Sequence, residues 1–199
     1  MNELPRQPKT RATTQAAEGV PRLRWTLDEF ERLTELGVFS EDDRIELIGG
    51  ELVPMSPKGN RHEVVRGALH TWLRRHLPEE FDYHVESGWR ADGTEYMEPD
   101  FLVGPAGCSP TMVAPEDVVL VIEVAFSSLR FDLTAKARRY ASMGVREYWV
   151  VDAKTLVTNI HREPTGVEYA KVTEVSPGET LAPLFAPTLA VKLSELPIE

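Results

Sequence analysis

The stretch Val118-Val-Leu-Val-Ile-Glu-Val124 constrains the fold of this chain more than any other segment. Six of its seven side chains are aliphatic and nothing alternates. That pattern fits a strand covered on both faces, at the centre of a sheet with helices packed against it. The run is far too short for a membrane span, which needs roughly 20 apolar residues. Its one polar residue, Glu123, is costly to bury unless it is paired or holds a metal. A second buried strand is expected at Glu147-Tyr-Trp-Val-Val-Asp152, and a helix over Ser127–Met143, stopped by Gly144, lies between the two.

The flanking sequence supplies the other elements. Thr26-Leu-Asp-Glu29 is a capping-box pattern and opens a helix through Leu36, ended by Gly37. Arg44 to Met55 reads as a hairpin turning on Gly49-Gly50. Arg61 to Leu77 is the clearest amphipathic helix, with Val64, Val65, Ala68, Leu69, Trp72 and Leu73 on one side. Strands are expected at Tyr83–Arg90 and Glu98–Val103, with short strands at Thr155–Ile160, Val167–Val172 and Leu189–Leu193. The fold class is therefore α/β in the broad sense (α+β): a mixed sheet flanked by helices, with an N-terminal helix and hairpin and a β-rich C-terminal tail. Residues 1–22, rich in Pro, Thr, Ala, Gln and Arg with no hydrophobic period, read as a flexible basic arm, and residues 23–199 as one domain.

Several function classes fall away. The single cysteine, Cys108, allows neither an internal disulfide nor a multi-cysteine zinc site. The five histidines show no zinc-type pairing, and no phosphate-binding glycine loop, dinucleotide fingerprint or Gly-x-Ser-x-Gly elbow occurs. No apolar run follows the N-terminal charges, so a secretory signal is not expected and a soluble, cytoplasmic setting is. The formal charge of −10 argues against a protein that coats nucleic acid. It is unevenly placed, however: basic residues gather in the arm and along Arg130, Lys136, Arg138 and Arg139.

Two carboxylates carry the chemical signal. Asp100 follows Pro99 at the start of a strand, and Glu123 sits in the most apolar one. If those strands are neighbours, the two acids meet at one sheet edge and form a hard oxygen site suited to Mg²⁺ or Mn²⁺. The plainer alternative turns Glu123 outward or onto an arginine. Lys136, thirteen residues further on, would orient an attacking water or stabilise a phosphoryl transition state, or it is one member of a solvated basic helix face.

A resemblance weighs on that choice. Glu46-Leu-Ile-Gly-Gly-Glu-Leu-Val-Pro-Met-Ser-Pro57, His62, Glu98-Pro-Asp-Phe-Leu-Val103, Val121-Ile-Glu-Val-Ala-Phe-Ser-Ser128, Arg130-Phe-Asp-Leu-Thr-Ala-Lys-Ala-Arg-Arg-Tyr140 and Gly144-Val-Arg-Glu-Tyr-Trp-Val-Val-Asp152 follow one another in order. Together they resemble the bacterial Uma-type family of restriction-endonuclease-like proteins, within the PD-(D/E)XK nuclease-like superfamily, from about residue 25 to the C-terminus. The resemblance implies a restriction-endonuclease-like fold, with Asp100 and Glu123 as metal ligands and catalytic acids. The superfamily's lysine usually stands two residues past the glutamate. Position 125 here is Ala, and the resemblance moves that role to Lys136. Glu46 would complete the metal-binding acids or is an outward strand residue, and His62 is a base, a ligand or phosphate contact, or a helix-start residue. Asp132 is explained as a helix N-cap. The expected activity is metal-dependent hydrolysis of DNA, with a homodimer suited to cutting both strands. The alternative is a non-catalytic nucleic-acid-binding or accessory protein on the same fold.

Overall fold

The computed structural model describes residues 13–15, 21–40 and 43–198. Most of the arm expected over residues 1–22 lies outside these, and within it β1 (Thr13–Gln15) pairs antiparallel with β2 (Pro21–Leu23). Helix α1 (Leu27–Glu35) starts as the sequence predicts: Thr26 accepts from the Glu29 N–H, and the Glu29 carboxylate accepts from the Thr26 N–H. Strands β3 (Ile45–Ile48) and β4 (Glu51–Pro54) form the expected hairpin. Gly49 and Gly50 both take positive φ, 61° and 80°, as this two-residue turn requires. Helix α2 (Asn60–His76) follows.

The main sheet has six strands: β5 (Phe81–Val85), β6 (Phe101–Pro105), β7 (Leu120–Ala125), β8 (Glu147–Asp152), β9 (Thr158–Pro164) and β10 (Tyr169–Val175). They lie in the spatial order β10-β9-β8-β7-β6-β5. Neighbours are antiparallel except β7 and β8, which are parallel and so need a crossover. That crossover is α3, a helical segment in three parts: α-helix Leu129–Phe131, a π-helical turn Asp132–Lys136, and α-helix Ala137–Ser142.

Every residue of β7 is buried, as its apolar run requires. Leu120, Ile122 and Val124 face the layer that holds α2, packing with Val65, Leu69, Trp72 and Leu73. Val121 and Ala125 face the opposite layer with Ala137 and Tyr140 of α3. Burying each large aliphatic or aromatic side chain contributes about 1.5–3 kcal/mol, so the central strands are held from both sides. Alternation along β7 puts Glu123 on the α3 side, where the crossover can supply its partner.

Three expectations are corrected. The strand expected over Tyr83–Arg90 ends at Val85, because Glu86 takes a left-handed φ of 49° and turns the chain out of the sheet. The strand expected from Glu98 begins at Phe101. Leu189–Leu193 is not a strand: Val191 makes an isolated bridge to Leu181, and Leu193 opens a short 3-10 turn. The rest of the C-terminal region, β9 and β10, extends the main sheet.

Candidate active site

Three elements bring the polar residues together. The β6–β7 register pairs Phe101 with Ile122, so Asp100, one residue before β6, stands level with Glu123. Helix α3 crosses over the same strand end. The π-helical turn places Lys136 so that its Nζ lies 3.0 Å from Glu123 Oε1 and 3.1 Å from Glu46 Oε1. Glu46 arrives from β3, and its Oε1 also accepts from the Glu98 N–H at 2.9 Å. Tyr140, one turn beyond Lys136, donates its hydroxyl to Glu123 Oε1 at 3.0 Å.

Asp100 sits on the other side of the group. Its Oδ2 accepts from the Val124 N–H at 2.7 Å, and His62 Nε2 lies 3.1 Å away. Lys58 Nζ is 3.8 Å from Asp100 Oδ1 and forms an ion pair with Glu86. Glu46, Lys58, His62, Asp100, Glu123 and Lys136 line a cleft of about 290 Å³.

The cluster holds more negative charge than its single buried lysine neutralises. Burial raises the Glu123 carboxyl and Lys136 opposes that, but Asp100, Asp132 and Glu46 add to it, and Glu123 is pushed up to about 8. Asp132 is raised to about 6, again by burial first, against Lys136 and the hydroxyl of Ser128. Burial disfavours the charge on Lys136, yet Glu123, Glu46 and Asp132 outweigh it and hold the ammonium charged well above the usual range. Asp100 moves the other way: despite burial, His62, the Val124 N–H and Lys58 hold it below the ordinary carboxylate range. His62 is correspondingly raised, with Asp100 and Glu63 overcoming its burial.

The structure thus places Asp100, Glu123, Lys136, Glu46 and His62 at one cleft. Glu46 is buried in the cluster and does not face outward from the hairpin. Asp132 is not an N-cap: Ser128 begins the helical segment, and Asp132 lies inside it, buried, accepting from Ser128 Oγ at 2.5 Å. Two residues of the site were missed. Tyr140 follows Lys136 at the i+4 spacing that puts both on one helix face, a signal present in the sequence. Lys58 lies in an irregular loop where no periodicity marks it.

The donor set suits a hard divalent cation: buried oxygen ligands at the floor of a cleft, with surplus negative charge. Among the described residues, no group of three or more His, Cys, Asp or Glu side chains is arranged to hold a metal ion. The three-carboxylate set expected from the sequence, Asp100, Glu123 and Glu46, is therefore not gathered around one point. Glu46 and Glu123 both turn Oε1 onto Lys136. Asp100 and Glu123, level with each other at the ends of neighbouring strands, are the two acids of the set whose chemistry suits a hard cation. No helix among the described residues is long and apolar enough to cross a membrane.

The architecture is α+β: a mixed sheet with one parallel pair, bridged by a helix that returns a lysine to two acids. A crystal structure described as "a putative nuclease belonging to DUF820" from Anabaena variabilis ATCC 29413 is similar to it, with a TM-score of 0.64 and 15% sequence identity. The likeness covers 85% of this chain and 96% of the other, and at that identity it establishes the fold. The sequence profile of the Uma2 family, described as "Putative restriction endonuclease", matches residues 27–195, and the chain belongs to that family. No curated protein sequence matches the chain.

Proposed function

We propose that the protein is a metal-dependent endonuclease that hydrolyses phosphodiester bonds in DNA. The observation that carries this reading is the convergence of Asp100, Glu123 and Lys136, from three separate elements, at one cleft. Asp100 and Glu123, with the carbonyl of Val124, would hold Mg²⁺ or Mn²⁺. The bound metal would lower the pKa of a coordinated water and offset phosphate charge. Lys136 is charged at any physiological pH, and its ammonium would orient the nucleophile or stabilise the charge that develops on the phosphate. Glu46 accepts from Lys136 and Tyr140 donates to Glu123, which would hold that pair in place. His62 holds the Asp100 carboxylate by a hydrogen bond to it and links it to Glu63.

One observation favours the accessory reading instead: the Glu46 and Glu123 oxygens are already engaged by Lys136. Two measurements separate them. Purified protein is incubated with plasmid and single-stranded DNA across several divalent metals, beside Asp100→Ala. Isothermal titration with Mg²⁺ and Mn²⁺ runs in parallel. The nuclease reading expects metal binding and cleavage that both vanish in the variant. Cleavage that survives Asp100→Ala removes this site from the reaction. Absence of metal binding near neutral pH leaves the accessory role.

A further inference from the structure

A second cavity, of about 670 Å³, opens beside the acid cleft between α1 and the start of β3. Its volume falls within the roughly 300–1,000 Å³ of pockets that take up small-molecule-sized groups. Three aromatic rings line it among charged and polar side chains: Phe30 packs against Phe39 with ring centres 5.9 Å apart and against Tyr96 at 5.4 Å. The guanidinium of Arg90 lies over the Tyr96 ring at 5.2 Å and is fixed by Glu31 at 2.6 Å. Arg44 and Glu98 line both this cavity and the acid cleft, so the two spaces adjoin.

We infer that this cavity takes up an unpaired nucleobase of a single-stranded nucleic acid whose backbone crosses the acid cleft. The inference rests on the nuclease reading above and gives it a substrate class. Flat aromatic faces and a stacked guanidinium are the surfaces on which bases stack without regard to sequence. The carboxylates here disfavour a phosphate but can accept from the exocyclic amino groups of bases, and Glu98 already accepts from the Tyr96 hydroxyl at 3.0 Å. Arg44 and Lys58, both at the cleft, supply positive charge where the backbone would pass. A base held in a paired duplex cannot enter such a pocket without leaving its stack.

The test uses Asp100→Ala in EDTA, so that no strand is cut, with oligonucleotides carrying 2-aminopurine. Binding of the single strand is expected to quench the 2-aminopurine fluorescence, and its affinity to exceed that for the same sequence as a blunt duplex by about tenfold or more. Adding Phe39→Ala should remove both the quench and the preference, and Phe39→Trp should restore them. Thr34→Trp provides a second probe that leaves the Phe39 loop intact: Thr34 is an exposed residue of α1 lining the cavity, and a bulky ring there should block entry. Equal affinity for single strand and duplex, or quenching that persists in both blocked variants, overturns the inference. Hydrolysis of bis(p-nitrophenyl) phosphate, a diester without bases, is measured separately on the unaltered protein with Mn²⁺. It reports on the nuclease chemistry alone, so the two readings fail independently.

Discussion

Two buried glutamates lie on adjacent parallel strands, and they behave oppositely. Glu147, on β8, is completely buried, and its partners are complete. Arg162 donates Nε and Nη2 at 2.9 and 2.5 Å, the Trp149 indole donates at 2.8 Å, and the Leu184 N–H at 2.7 Å. One acid meets one guanidinium, with donors for both oxygens. Glu123, on β7, shares a single ammonium with Glu46 while Asp100 and Asp132 stand near. The first arrangement closes a charge account inside the fold; the second leaves negative charge in excess at an open cleft. Burial of a carboxylate is therefore not what marks a site for chemistry. The deficit of positive charge around it is.

Substitutions can break this contrast. The largest effect is expected from Glu123→Gln: metal-dependent plasmid cleavage falls by about 10³-fold or more. Thermal melting at pH 8 should show the variant at least as stable as the parent, since a crowded charge is gone. A clear drop in melting temperature would put Glu123 in the same class as Glu147. Lys136→Met is next. Cleavage should fall by about 10²-fold, and chemical denaturation should show a loss of about 3 kcal/mol, because the carboxylates lose their cation.

Glu147→Gln should reverse the pattern: about 2–3 kcal/mol less stable by denaturation, with cleavage per folded molecule unchanged. Impaired cleavage at full stability would dissolve the distinction. The smallest effect concerns a third buried acid, Glu95, which accepts from the Gly49 N–H at 2.6 Å and pairs with Arg139 through one oxygen. Burial, against Arg139 and Gly49, raises it to about 7. Its folded-state pKa thus exceeds its unfolded one, so the native state keeps a proton that the unfolded chain has released. That contribution is full below pH 4.5 and is lost as pH rises to about 7. Melting temperature followed over this window should decline less in Glu95→Gln than in the parent; identical slopes would assign the titration elsewhere.

Much of this was legible in the sequence where local rules act alone. The Thr26 capping box, the Gly49-Gly50 turn and the apolar run of β7 each encode their element within a few residues. The boundaries that failed depend on distant contacts. Nothing near Glu86 announces a left-handed residue, and the chain turns there so that Trp89 can bridge Met97. Leu189–Leu193 carries a strand-like composition, but only Val191 finds a bridge partner, Leu181. In the cleft, Asp100, Glu123 and Lys136 stood out as charges in apolar or family-like settings. Lys58 did not, since a lysine in a loop has no pattern to violate. Asp132 was misread because a hydroxyl or acid near a helix start looks like a cap in any linear reading. Its burial follows from the crossover packing onto β7 and β8, where the Tyr148 hydroxyl reaches its carbonyl at 3.2 Å.

The π-helical turn from Asp132 to Lys136 has a consequence for how this chain tolerates change. Its Ala137 N–H reaches back five residues to the Asp132 carbonyl, one more than an α-helix uses. Each residue advances a helix by about 100°, so the extra one re-phases all that follows relative to what precedes it. Removing any single residue between Ser128 and Lys136 would let ordinary α-helical bonds close and would swing the ammonium more than a quarter turn off the acids. The spacing works as a ruler. Side chains along its exposed face, such as Thr134 and Ala135, can vary freely, while the number of residues cannot.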